Sequence, residues 1–150
     1  MNKLKRVGAF LAAALATTLL GTVVQTQFNL ARLVELGLAV PVGLRLEVTG
    51  RDLVGFAPSL GALTLLAFLV AFPVAGLLRR RIVRRRAALY TLAGAVAITT
   101  LLLSMEVALG LVAIAAARDA GGFAALVACG ALGGWLFSRL SAGPGTDAAP

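Results

Sequence analysis

The chain of 150 residues contains no histidine, one cysteine, one tryptophan, one tyrosine and only six acidic residues. Each shortage excludes something. Without histidine there is no usual general base for neutral pH, and the commonest metal ligand is missing. With a single cysteine, Cys129, an internal disulfide is excluded. It lies inside an apolar run and reads as a small buried thiol. Serine and threonine hydroxyls have no histidine to activate them, and no metal-ligand set of His and Cys exists. The expectation is therefore no enzyme, no cofactor and no metal. Charged residues make up 13% of the chain. An average soluble domain has about a quarter, so this chain lacks the charge to cover a water-facing surface.

What is abundant is apolar sequence. Hydrophobic residues reach 60%. They gather into runs whose lengths match a bilayer core, which takes about 20 apolar residues in a helix. The expected spans are 7–25, 57–78, 87–106 and 121–138. The expected fold is an all-α membrane protein. It is a four-transmembrane-helix bundle over residues 1–140, with an outer periplasmic loop at 26–56 and a disordered tail at 141–150. The net charge of +8 comes from 14 Lys and Arg. Lys3, Lys5 and Arg6 precede span one, six arginines lie within 79–86, and Arg139 follows span four. With four spans these groups fall on one side, which the positive-inside tendency makes cytoplasmic. Both termini are thus expected inside, in a bacterial cytoplasmic membrane. Topology accounts for the basic residues, so nucleic acid is not an expected partner. The N-terminus resembles a signal peptide, but its apolar run is long and no Ala-x-Ala site follows, so an uncleaved span is preferred.

Between spans one and two, residues 28–38 read as an amphipathic helix with Leu30, Leu33, Val34 and Leu38 on one face. Asn29 is its candidate N-cap. Pro41 and Gly43 end that pattern. Leu44, Leu46 and Val48 alternate with Arg45, Glu47 and Thr49, the period of an extended strand. Thr49 and Asp52 form a candidate capping box. Pro73 is expected to kink span two. After Glu106 the apolar run continues to Ala117. One helix of that length would overshoot the core, so Gly110 is the expected break, with an unbroken tilted helix as the alternative.

Small residues recur on two spans. Ala13, Thr17 and Gly21 form a stripe on span one, and Gly130 and Gly134 form a GxxxG on span four, both suited to close helix packing. These faces pack within the bundle or receive a partner helix. Glu106 is the leading polar candidate, because a carboxylate at the edge of an apolar run needs pairing or hydration. Thr99 shares its helix face. Gln25, Gln27 and Asn29 cluster where span one leaves the core. Together they are a candidate polar or ligand site. Arg79, Arg80, Arg81, Arg84, Arg85 and Arg86 are candidate contacts for anionic lipid.

The segment Val24-Gln25-Thr26-Gln27-Phe28-Asn29-Leu30, with Gly55-Phe56-Ala57-Pro58, resembles small four-span bacterial inner-membrane proteins that lack an assigned activity. That resemblance implies a location and no catalytic residues. The leading functional expectation is a non-enzymatic accessory or scaffold subunit. Its partners are membrane lipids and either another membrane protein or further copies of itself. The alternative is a small transporter or lipid-binding protein with a polar site around Glu106 and Gln25–Asn29.

Overall fold

The computed structural model describes residues 3–81, 85–110 and 114–142. Those residues are almost entirely helical, and no strand occurs among them. Five helices follow in order: α1 (Lys3–Glu35), α2 (Val42–Gly55), α3 (Ala57–Arg81), α4 (Arg86–Leu109) and α5 (Ala120–Leu140), with a short 3₁₀ turn at Ala115–Arg118 before α5. All but α2 are long and apolar enough to cross a membrane, making this a multi-pass membrane protein.

The connection between α1 and α3 differs from expectation. Helix α1 has 33 residues and passes straight through Asn29, so no separate helix starts there and Asn29 caps nothing. At about 1.5 Å per residue α1 is roughly 50 Å long and projects well beyond a bilayer core. It stops at Gly37, whose φ of 84° is open to glycine at little strain. Gly37 N–H donates to Val34 and Leu38 N–H to Leu33, satisfying the last carbonyls of the helix.

The stretch expected as a strand is instead the middle of α2. Its apolar alternation at 44–48 is real, but a lone strand would leave backbone groups unpaired. A helix satisfies them internally and also places Arg45, Thr49 and Asp52 on one inward face. Thr49 Oγ1 accepts from Gln27 at 3.1 Å, and Asp52 accepts from Thr26 at 2.6 Å. The pair Thr49 and Asp52 is therefore not a capping box; Thr49 donates back to the Arg45 carbonyl. The opposite faces of α2 carry exposed Val42, Leu46 and Val54, and an exposed Arg51–Glu47 ion pair at 2.7 Å.

Helix α4 ends at Gly110, with a φ of 64°, as the break predicts. The chain then turns back into the protein. Ile114 and Ala116 are buried, and Gly122 of α5 sits so close that an added β-carbon would lie 2.8 Å from the Ala116 carbonyl carbon. Residues 111–113, between that break and Ala117, lie outside the described residues. Asp119 caps α5, accepting from Gly122 N–H at 2.7 Å.

The core runs along the seam of the four long helices. At the end holding the start of α1 it is aromatic: Phe72 stacks on Phe68 and Phe137 and meets Phe10 and Tyr90 edge-on. Toward the middle it is small and hydroxylated, with Ala13, Thr17, Gly21 and Thr22 buried on α1. The same aromatic end is closed by Arg86, which donates to the Ser141 carbonyl and hydroxyl, with its guanidinium 5.7 Å from the Tyr90 ring centre. Ser141 is fully buried and so belongs to the bundle, not to a tail; residues 143–150 lie outside the described residues.

Candidate functional site

Two of the polar residues singled out from the sequence, Gln25 and Gln27, hold the α2 end of the bundle together. Gln25 Oε1 accepts the backbone N–H of Ala116 at 2.7 Å, bracing the returning chain against α1. Gln27 bridges to α2, donating to Thr49 and accepting from Arg45 at 3.2 Å. Asn29 is exposed. Beyond them Arg32 pairs with Asp119 at 2.8 Å. That carboxylate accepts from Gly122 N–H and Arg32 together, which holds its pKa below the ordinary aspartate range. Glu106 and Thr99 take no part in these contacts. Glu106 is exposed on the last turn of α4 and makes no hydrogen bond or ion pair among the described residues. Thr99 donates to the Ala95 carbonyl of its own helix at 3.0 Å.

The small-residue faces point inward. Gly130 and Gly134 press on α4: a β-carbon added at Gly130 would lie 2.5 Å from the Gly94 carbonyl oxygen, and one at Gly134 would lie 2.7 Å from the Tyr90 carbonyl carbon. Ala13, Thr17 and Gly21 are buried where α1 meets α3 and α5. Thr17 Oγ1 donates to the Cys129 carbonyl at 3.4 Å. A cavity of about 10 Å³ beside Thr17, Thr64 and Cys129 has room for one water. Among the described residues no group of His, Cys, Asp and Glu is placed to hold a metal.

A far wider opening lies elsewhere. At the aromatic end, α1 and α3 part to leave a groove of about 750 Å³. Volumes of about 300–1,000 Å³ are typical of small-molecule sites. Its walls are Val7 and Phe10 of α1 and Leu69, Pro73 and Leu77 of α3, and its floor is Phe72, Tyr90 and Phe137. Arg6 and Arg79 stand at its lip. Neither has an acidic partner among the described residues. The groove is thus apolar within and cationic at the mouth.

The sequence reading named Arg79 as a lipid contact but missed Arg6 and the aromatic floor. A signal existed: Phe68 and Phe72 lie one turn apart near a basic span end, opposite Phe10 near another. The remaining arginines divide. Arg85 is exposed, Arg86 is turned into the bundle, and Arg84 and the side chains of Arg80 and Arg81 lie outside the described residues. Comparison with known proteins finds no matching family model, no matching curated protein and no matching solved structure.

Proposed function

We propose that this chain is a non-enzymatic, multi-pass protein of the bacterial cytoplasmic membrane, with both termini cytoplasmic, that binds an anionic amphiphile in the groove between α1 and α3. The observation that carries this reading is the pairing of an apolar, aromatic-floored groove with Arg6 and Arg79 at its lip. The charge pattern supports the orientation. Lys3, Lys5, Arg6, Arg79–Arg81, Arg85, Arg86 and Arg139 all belong to the groove end, and every acidic residue up to Asp119 belongs to the other. Such a basic end favours the cytoplasmic side. There the groove mouth meets the headgroup layer, where each basic residue attracts anionic lipid by about 1 kcal/mol.

The lipid-binding reading is preferred to the accessory-subunit one because the small faces that would receive a partner helix are occupied within the bundle. Its site also moves from Glu106 and Gln25–Asn29 to the opposite end of the molecule. The test is purification in gentle detergent followed by native mass measurement and lipid identification. The expected result is stoichiometric anionic lipid, with binding weakened roughly 30-fold in the double variant Arg6→Ala, Arg79→Ala. A stoichiometric larger protein with no bound lipid would overturn the proposal and restore the accessory-subunit reading.

A further inference from the structure

Building on the anionic-amphiphile reading, we infer that the groove recognises a second polar group of its ligand through the hydroxyl of Tyr90, and so takes an anionic glycerophospholipid in preference to a simple alkyl anion. The Tyr90 ring is buried and held from several sides: edge-on to Phe72 at 5.8 Å and to Phe137 at 4.9 Å between ring centres, with the Arg86 guanidinium over its face. Its hydroxyl reaches α3 beside Gly76, where an added β-carbon would lie 3.2 Å from the phenolic oxygen. Both residues line the groove. The hydroxyl has no hydrogen-bond partner among the described residues. Its oxygen is not sealed in the core but opens to the groove, where a tyrosine with a buried ring takes a polar partner.

Gly76 lies three residues before Arg79, about 4.5 Å deeper along α3. A ligand whose anion rests on Arg79 and Arg6 therefore presents its next few atoms to Tyr90. In a glycerophospholipid those atoms are the glycerol hydroxyls and esters, which accept from a phenol. One turn deeper, Pro73 lacks an N–H, so the Leu69 carbonyl in the same wall loses its usual helical donor. The wall thus offers a donor and an acceptor below the cationic lip, and only then becomes apolar. In a groove bounded by aromatic rings and lipid, leaving such groups unmatched is costly, so a ligand that pairs with them is favoured.

Two probes separate this inference from the reading beneath it: an oleoyl lysophosphatidic acid, which carries glycerol and an ester, and hexadecyl phosphate, which carries neither. Each is titrated into the purified full chain. The unmodified protein is expected to bind the first about tenfold more tightly, the value of one good hydrogen bond. Tyr90→Phe keeps the ring packing and should erase that preference while leaving hexadecyl phosphate affinity unchanged. Gly76→Ala crowds the hydroxyl from α3 and should reduce the preference independently. Arg6→Ala with Arg79→Ala should weaken both probes equally and preserve their ratio. Equal affinities in the unmodified protein, or a Tyr90→Phe effect equal on both probes, would overturn the Tyr90 inference and leave the anion site standing. Binding of neither probe, or binding indifferent to the arginine variants, would overturn the groove itself.

Discussion

The α4–α5 crossing and the basic end of the α1–α3 pair are built from opposite materials. At the crossing, Gly94, Gly130 and Gly134 bring backbone against backbone, with the Ile98 side chain packed onto Gly130. Between α1 and α3, Gly61 meets Thr18 near the start of α3, but toward the basic end Phe10, Leu69, Phe72 and Pro73 hold the helices apart around an open groove. In lipid, apolar side chains gain little by leaving their surroundings, so close backbone approach is what fastens helices together. Bulky residues in the same position therefore do not seal a seam. They line it. The difference separates the part of the bundle that holds the fold from the part available to a ligand.

The sharpest way to break this contrast is to put a side chain into the closed seam. Gly134→Leu has no space to occupy, and the expected outcome is loss of a monodisperse folded peak in size-exclusion chromatography. Phe72→Ala attacks the aromatic hub and should lower unfolding free energy by about 3 kcal/mol, read by thermal or denaturant unfolding in detergent. Gln25→Ala leaves the Ala116 N–H without its partner and should cost about 1–3 kcal/mol in the same measurement. The Arg32–Asp119 contact should respond to acid. Because the folded state holds the Asp119 pKa below its usual value, the stability it contributes is present above about pH 4 and is lost as pH falls through the lowered value. Melting curves from pH 7 to pH 3 should show that loss, and Asp119→Asn should flatten it. The smallest effect is expected of Glu106→Gln. With its carboxylate exposed, it should change stability by less than about 0.5 kcal/mol and leave lipid binding at the groove untouched.

Helix content and span positions were legible in the sequence because a bilayer imposes a strong pattern: long apolar runs with charges at their ends. Gly110 was legible as a break for the same reason, since no helix running on to Ala117 fits the core upright. The loop was not. Leu44, Leu46 and Val48 alternate as a strand does, and only the partners of Arg45, Thr49 and Asp52 on α1 decide for a helix. Those partners lie about 20 residues away, beyond the reach of local periodicity. The candidate site failed to show for a related reason. Arg6 and Arg79 each look like a span-end charge when read alone. Their meaning depends on α1 and α3 standing side by side with Phe72 between them, and no single run of sequence states that neighbourhood. Glu106 drew notice as the lone acid in an apolar run, yet the helix end places it in the open.

Thr17 of the first helix meets the Cys129 carbonyl of the last, 112 residues later in the chain. At about 5–20 residues per second, a ribosome takes roughly 6–20 seconds to make that stretch. Throughout that time α1 is already made, and the residues of α5 that will cover Thr17 do not yet exist. Helix α1 is thus enclosed long after it is made, and Thr17 must wait in lipid or against a temporary neighbour until α5 arrives.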